Sequence, residues 1–332
     1  MKNTLIVSLV LAGFVSVAQA QEEQAATTST VNVSDVQNKD EQKKDIDDEI
    51  TNARMRATLG SKSKWSFRST LAYNGGSIEK PLDGVRPNYQ ASVGSTPGLA
   101  ALGGSVGINY RASERDSLYL TTGVSILNPL QGDLTRNEFA DPRGSEFGTR
   151  ERFDVSGVTL GWSRGYKAFG LQMATDMSAN ITTDQDGIKL DKSIGVIDLS
   201  QTVLADLGES SWQAGVAVSI GAGIYSGKLD NAYAAATGAQ QMAYYLGVYP
   251  FAEYAFNDTY SFRTVFGYFN YDNLISTPTS EESGWITQPT YQSVGLGISM
   301  TRDIYLYPNI QFSPEEIRAE RTNVALSATI NL

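Results

Sequence analysis

The sequence predicts an all-β protein, an antiparallel up-and-down β-barrel of about 12 strands (roughly 10–14) preceded by a short helix. Three observations support this prediction. Apolar and polar residues alternate in short segments from residue 62 to residue 332. The connections between those segments are alternately long and short. The 332-residue chain also contains 31 Gly and 17 Tyr, a mixture that favours strands and turns over helices.

The composition excludes several kinds of site. The chain contains no His and no Cys, which removes imidazole bases, His-ligated zinc, thiolate metal sites and Cys nucleophiles. Its 26 Lys and Arg residues are outnumbered by 36 Asp and Glu residues, for a formal net charge of −10. An acidic chain is a poor electrostatic partner for nucleic acid. We therefore expect no cofactor, no metal centre and no nucleic-acid partner.

Residues 1–20 have the pattern of a secretory signal peptide. Lys2 supplies the positive start, residues 5–17 are almost uninterrupted apolar residues, and Ala18 and Ala20 form a small-x-small cleavage site. A membrane-spanning helix would need about 20 apolar residues, more than this run provides. The sequence therefore predicts an exported protein.

Residues 21–61 are predicted to form a flexible leader followed by an amphipathic helix. Residues 21–32 have no apolar period, whereas residues 36–59 carry apolar residues near helical spacing among dense charges. The apolar stripe consists of Val36, Ile46, Ile50, Ala53 and Met55. Two interpretations remain open, a solvated spacer and a short self-associating coiled coil, and the imperfect seam favours the spacer.

Residues 62–332 change to a period of two. In the first segment Trp65, Phe67 and Leu71 share one face, while Ser66 and Arg68 lie on the other. The same alternation recurs along the chain and predicts strands with one apolar face. Its phase is not fixed over residues 154–157 and 194–204.

The connections indicate that this barrel lies in a membrane. Residues 74–104 and 128–152 form long connections, whereas residues 112–116, 163–168 and 257–258 form tight ones. Membrane barrels have long loops on one side and short turns on the other, and a water-soluble barrel has no reason to sort its loops in this way. An even number of strands also brings both ends of the chain to the short-turn side.

Aromatic residues support the same interpretation, because amphipathic rings collect where lipid meets water. The residues placed by sequence near a short turn, and predicted to form an aromatic girdle, are Trp65, Tyr110, Trp162, Phe169, Trp212, Tyr254 and Tyr260.

With its export signal, alternating strands, loop asymmetry and apolar final strand, the chain resembles the Gram-negative outer-membrane β-barrels of the porin-like class over residues 62–332. Many barrels of this class end on Phe, whereas this chain ends Ile330-Asn331-Leu332, which keeps the apolar end without the aromatic ring. The resemblance implies location in the outer membrane and contact with its lipids and lipopolysaccharide. It also implies a periplasmic N-terminal helix and assembly as a homo-oligomer.

The predicted inward faces carry polar and aromatic residues that would line a channel. Phe251 and Phe269 are also expected to point inward. The lumen-lining residues predicted for a channel are Arg68, Arg111, Tyr119, Gln172, Asp176, Tyr245, Tyr249, Glu253, Arg263, Tyr305 and Tyr307. Two interpretations of the charges stay open: the three Arg residues pair with Asp176 and Glu253, or they form a selectivity ring for charged solutes.

The function predicted from these features is passive diffusion of small solutes or ions through a porin-like channel. The alternative is a structural or anchoring barrel without a pore, whose N-terminal helix mediates oligomerisation or contacts a partner. Catalysis is not expected, because the barrel proteases and phospholipases of this class rely on His and the chain has none.

Overall fold

The structure is a computed structural model in which part of the chain is described. The described residues are 45–87, 98–130, 138–140, 149–151, 153–183, 185–189, 191–229, 240–275 and 284–332. The predicted signal peptide and leader lie outside them, as do the first nine residues of the predicted helix.

Twelve strands of the described chain form one closed antiparallel sheet. They are β1 Trp65–Ser77, β2 Ala101–Arg111, β3 Asp116–Leu127, β4 Phe153–Ala168, β5 Leu171–Ile181, β6 Ser193–Asp206, β7 Trp212–Tyr225, β8 Gln241–Ala255, β9 Tyr260–Gly267 with Phe269–Ile275, β10 Gly284–Thr287 with Tyr291–Thr301, β11 Ile304–Phe312 and β12 Asn323–Asn331.

Each strand pairs with its neighbours in the chain, and β12 returns to pair with β1, where Ala328 lies opposite Leu71. Closure leaves no strand with an unpaired edge, which a bilayer requires because its interior offers no water to hydrogen-bond exposed backbone groups. The predicted fold class, an up-and-down barrel of about 12 strands, is confirmed.

The helices of the described chain are short. They are α1 Ile46–Glu49, α2 Ala53–Leu59 and α3 Gln185–Lys189, with one 3₁₀ turn at Ala319–Arg321. Among the described residues no helix has both the length and the apolar character needed to cross a membrane.

Short turns occupy one end of the barrel, which we call the short-turn end, and the longer connections occupy the other, the long-loop end. Two residues join β4 to β5, and both have positive φ, 53° at Phe169 and 78° at Gly170. This conformation suits the strand twist of a tight hairpin. Between β8 and β9, the Asn257 side chain accepts hydrogen bonds from the backbone N–H groups of Thr259 and Tyr260 at 2.9 and 2.8 Å.

The outer wall is apolar and the inner wall is polar, the reverse of a water-soluble protein. On β4, for example, Leu160 faces outward with 62% of its surface exposed, whereas its neighbour Gly161 faces inward beneath the Tyr119 ring. The outward apolar side chains of other strands include Phe67, Ile108, Leu118, Leu120, Met177, Ile197, Leu296 and Leu326. This wall is the surface that lipid would cover.

The strands are irregular at two places, and there strict alternation assigns side chains to the wrong face of the barrel wall. Gly157 has a φ of 65°, and the pairing of β4 with β3 shifts by one residue beside it. A second break lies at Tyr268, between the two segments of β9. The prediction that Phe269 points inward is wrong, because this break shifts the phase and pairs Phe269 with the outward-facing Val248.

The apolar wall generates a prediction. Leu160→Arg places a charge on the lipid face near the middle of β4, and we expect it to destabilise the inserted barrel by about 2–4 kcal/mol. Ser200→Arg is the matched control, since Ser200 lies opposite the inward-facing Asp176. The measurement is urea unfolding in lipid vesicles. Equal destabilisation by the two variants would contradict the assignment of the faces.

Candidate functional site: the plugged lumen

Residues 45–61, which we call the plug, fold into the barrel at its short-turn end. Two side chains cap the N-termini of its helices. The carboxylate of Asp45 accepts a hydrogen bond from the Asp47 N–H, and the amide oxygen of Asn52 accepts one from the Met55 N–H. The α2 helix ends at Gly60, whose φ of 97° suits a residue without a side chain.

A lumen-facing side chain holds the break between the two helices. The Gln172 amide oxygen accepts hydrogen bonds from the backbone N–H groups of Thr51 and Asn52 at 2.9 and 3.1 Å. Its Nε2 donates to the Thr51 hydroxyl at 2.8 Å and to the Asp206 carboxylate at 3.2 Å. Gln172 is fully buried, and it satisfies backbone groups that a continuous helix would have paired internally.

The apolar stripe of the plug packs against the inner wall of the barrel. Ile46, Ile50, Met55 and Leu59 form a buried cluster with Leu204 on β6 and Phe251 on β8. Ile50 has no exposed surface. An apolar side chain fully removed from water contributes about 1.5–3 kcal/mol, so these four favour the docked position.

The opposite side of α2 contacts the last two strands. Ala57 packs against Tyr305 and Tyr307, and its carbonyl accepts a hydrogen bond from the Asn331 amide. Gly165 on β4 leaves room for Leu59, because a side chain at Gly165 would overlap it. The plug therefore contacts strands on opposite sides of the barrel.

This arrangement differs from the single helix predicted over residues 36–59. The described part is broken at residues 50–52, and its apolar stripe faces the barrel wall rather than solvent or a second helix. Of the predicted stripe, Ile46, Ile50 and Met55 face this wall, Ala53 packs instead beside Ala57 and the β11 tyrosines, and Val36 lies outside the described residues.

Ion pairs fasten the acidic α1 helix to the rim of the barrel. Asp47 pairs with Lys62 and with Arg302, each at 2.8 Å, and Lys62 also contacts Asp45 at 2.5 Å. Glu49 pairs with Arg115 in the turn between β2 and β3 at 2.7 Å. Exposed pairs contribute little singly, but Arg302 also donates to the Gly60 carbonyl at 2.7 Å, which makes this group a network.

The network changes the acidity of its members. Burial raises the pKa of Asp47, but hydrogen bonds from Arg302 and Lys62 outweigh burial and hold the pKa below its ordinary value. The hydrogen bond from Lys62 lowers the pKa of Asp45, and the same contact raises the pKa of Lys62. These carboxylates therefore favour the docked plug in their ionised form.

Glu253 organises the surface between the plug and the lumen. One carboxylate oxygen accepts from the Arg263 guanidinium at 2.8 Å and the Asn52 amide at 3.1 Å. The other accepts from the hydroxyls of Ser261 at 2.6 Å and Tyr305 at 3.5 Å. Arg263 also lies over the Phe251 ring, with its guanidinium carbon 4.3 Å from the ring centre.

A second charged pair lies on the neighbouring wall. The Arg68 guanidinium is 3.7 Å from the Asp176 carboxylate and 4.0 Å from the Tyr119 ring centre, and the Tyr119 hydroxyl donates to Asp176 at 2.7 Å.

The structure thus contains the pairings of Arg68 with Asp176 and of Arg263 with Glu253. Arg111 instead pairs with Glu114 at 3.0 Å at the rim and donates to the Ser61 carbonyl.

The inward tyrosines lie against the wall. Tyr119 covers Gly161 and Tyr245 covers Gly221, and in each case the ring fills the space that a side chain on the glycine would need. Tyr305 covers Gly297 in the same way. Each of these rings therefore rests on a glycine of a neighbouring strand and lines the inner wall.

The structure also places charges that the sequence did not identify. Asp198 lies beside Tyr245, and Asp272 accepts a hydrogen bond from the Gln288 amide at 2.5 Å. Both side chains face inward. Asp198 lies in a stretch where alternation does not determine which residues face inward, and Asp272 lies beyond the break at Tyr268. Arg54 was missed for a different reason: it belongs to the plug.

The predicted girdle residues lie on the outer wall or in turns towards the short-turn end. Trp65 packs on Tyr110 with ring centres 4.7 Å apart, and Trp212 packs on Tyr254 at 5.0 Å. Trp162 donates to the Asp116 carboxylate at 3.1 Å. Phe169 is 97% exposed in its turn, and Tyr260 begins β9.

A cavity of about 250 Å³ lies between the plug and the short turns. Asn52, Ala53 and Arg56 of the plug line one side, and Glu253 and Tyr305 are among the barrel residues on the other. Among the described residues, no three acidic side chains come together as a metal ion would require.

Comparison with known proteins places this fold. No protein-family model matches the sequence, and no curated protein matches it. An outer membrane channel from Pseudomonas putida F1 superimposes with a TM-score of 0.52 at 13% identity, covering 82% of this chain and 98% of that one. The KdgM porin (TM-score 0.38, 10% identity, 80% and 99% covered) and the outer membrane phospholipase A of Escherichia coli (0.35, 12%, 84% and 98%) are also similar.

The chain has the fold of the outer-membrane β-barrels of the porin-like class. The Pseudomonas putida channel, with a TM-score above 0.5, supports this assignment of the fold. The apolar outer wall agrees with it independently.

The rim network generates a prediction about pH. The pKa values of Asp45 and Asp47 are lower in the docked plug than in a released one, so their contribution is complete above the ordinary value and is lost as pH falls below about 4. A spin label on Asp48→Cys, the only thiol in such a chain, should become more mobile between pH 7 and pH 3.

Arg302→Gln gives the matched comparison. It removes one cation of the network, so the label should already be more mobile at pH 7 and should respond less to acid. A label that keeps the same mobility down to pH 3 would show that these pairs do not hold the plug.

Proposed function

We propose that this protein is an outer-membrane channel for passive diffusion of small solutes, and that the plug closes its periplasmic end. The plug that crosses a polar lumen is the observation that carries this proposal. Its contacts reach β5, β6 and β8 on one side and β11 and β12 on the other. The tyrosines farther along the inner wall rest on glycines of neighbouring strands, an arrangement that keeps their rings against the wall.

The orientation follows from the turns. Outer-membrane barrels keep their short turns on the periplasmic side, so the plug would enter from the periplasm. The predicted signal peptide at residues 1–20 would deliver the mature chain to that compartment. The girdle aromatics near the short turns would then mark the inner lipid boundary.

The contacts of the plug suit a movable element. The ion pairs of α1 lie at the rim of the barrel, where water can replace them. The hydrogen bonds of the buried Gln172 and the apolar cluster around Ile50 oppose release. Solutes would pass either when the plug moves or beside it through the cavity next to Glu253.

The second candidate function is a barrel without a pore that serves as an anchor. The complete burial of Ile50 and Gln172 favours it, because a plug that never leaves would pack in the same way. An enzyme is disfavoured by the absence of His, on which the barrel proteases and phospholipases of this class rely.

Deletion of residues 45–61 tests the proposal. In planar lipid bilayers we expect the deletion variant to show stepwise ohmic conductance several-fold larger than that of the full chain. Heat-dependent mobility in detergent gels serves as the control for a folded barrel. A folded deletion variant that does not conduct would establish the anchor and contradict the channel.

A reversible cross-link tests whether the plug moves. Glu49→Cys with Arg115→Cys introduces the only two thiols of the chain, at positions whose side chains form an ion pair in the structure. A disulfide-containing bifunctional reagent should abolish residual conductance, and reduction should restore it. Arg115→Cys alone, treated identically, is the control. Unchanged conductance after complete cross-linking would show that solutes bypass a fixed plug.

A further inference from the structure

The cavity between the plug and the short turns has the size of a site for a small molecule. Its volume is about 250 Å³, slightly below the roughly 300–1,000 Å³ of pockets that hold drug-sized ligands. Residues 51–53 and Arg56 of the plug line one side. The β6–β7 and β8–β9 turns line the other through Ser210, Ser211 and residues 257–260. A molecule in this cavity would therefore contact the plug and the barrel together.

One part of the cavity wall is already hydrogen-bonded within the protein. The Gln213 amide donates to the Asp206 carboxylate at 2.7 Å and accepts from the Asn52 amide at 2.7 Å. The Asn52 amide also donates to Glu253 at 3.1 Å, and barrel side chains take the other acceptor positions of that carboxylate. A carboxylate offers about four such positions, so Glu253 is saturated. This part of the wall is fixed in place and has little capacity left for a ligand.

Two charged side chains of the cavity wall have no such partners. The Arg56 guanidinium group forms no hydrogen bond or ion pair with any residue that the structure describes, and its Nε is buried. Asp258, in the β8–β9 turn, forms no ion pair with any described residue. The two groups lie beyond ion-pair distance of each other. A buried N–H without an acceptor is costly, so an acceptor that enters the cavity beside Arg56 would be stabilised there.

Both charges are carried by elements that the structure holds in place. Arg56 lies on α2, between Met55 and Ala57, which pack against the barrel wall. Asp258 follows Asn257, whose side chain accepts hydrogen bonds from the backbone N–H groups of the next two residues after Asp258. Charges on fixed elements are positioned before the ligand arrives, and less conformational entropy is lost on binding.

The charges of the cavity match a ligand that bears both signs. Among the described residues, the charged side chains that line the cavity are Arg56, Asp206, Glu253 and Asp258. Glu253 pairs with Arg263 at 2.8 Å, which leaves two carboxylates and one guanidinium group. A simple anion would meet an excess of negative charge, whereas a simple cation would leave the guanidinium group without an acceptor.

We propose that this cavity binds a small zwitterion, a molecule bearing one carboxylate and one ammonium group. The ligand carboxylate binds Arg56, because the planar donors of a guanidinium group match two carboxylate oxygens. The ammonium group donates to Asp258. This inference goes beyond the proposed channel, because it requires the docked plug and not an open lumen.

Calorimetry on the full chain in detergent tests the site with ligands that differ by one charge. The probe is 4-aminobutyrate, of which butyrate keeps only the carboxylate and butylamine only the ammonium group. We expect 4-aminobutyrate to bind at least about tenfold more tightly than either. Glycine, whose charges lie closer together, is a second probe. Failure of both zwitterions to bind up to about 10 mM, or equal binding of butyrate or butylamine, would overturn the proposal.

Asp258→Asn is the deciding variant, because this exposed turn residue can lose its charge without disturbing the packing. It should weaken 4-aminobutyrate binding by about tenfold and reduce its affinity to that of butyrate. Arg56→Gln should instead reduce the affinity to that of butylamine. Glu209→Gln is the matched control, since it removes a carboxylate from the β6–β7 turn outside the cavity and should change affinity by less than about twofold. Equal weakening by Glu209→Gln and Asp258→Asn would overturn the site.

Two further measurements separate this site from the channel. Deletion of residues 45–61 removes the wall that carries Arg56, so it should abolish binding of 4-aminobutyrate, and binding that persists would overturn the site. Conductance judges the channel independently. A chain that conducts without binding either zwitterion would lose only this site, whereas one that binds 4-aminobutyrate and never conducts, with or without the plug, would lose only the channel.

Discussion

The structure depends on the requirement that every backbone polar group inside a bilayer be hydrogen-bonded within the protein. Twelve strands meet it only by closing into a ring, and the pairing of β12 with β1 completes that ring. Closure then determines which environment each side chain meets. Each strand must direct one face to lipid and the other to the lumen, so an apolar wall and a polar interior arise together.

The inner wall of this ring is lined by tyrosines that rest on glycines of adjacent strands. The plug occupies one end of the interior. Its helix break would be costly in isolation, since the N–H groups of Thr51 and Asn52 would lose their partners. Gln172 supplies the missing acceptor, so the break and the barrel wall fit each other.

Local patterns could predict much of this fold, because strand faces, turns and girdle aromatics are set by residues close together in the chain. Alternation placed Arg68, Asp176, Glu253 and Tyr305 on the inner wall. It failed at Phe269, where one extra residue at Tyr268 reverses the phase, and no composition signal marks that residue.

Local patterns could not predict where the plug docks, for a different reason. Its partners are distant in sequence: 121 residues separate Thr51 from Gln172, and 255 separate Asp47 from Arg302. An amphipathic stripe shows that a helix has a partner surface but does not identify that surface.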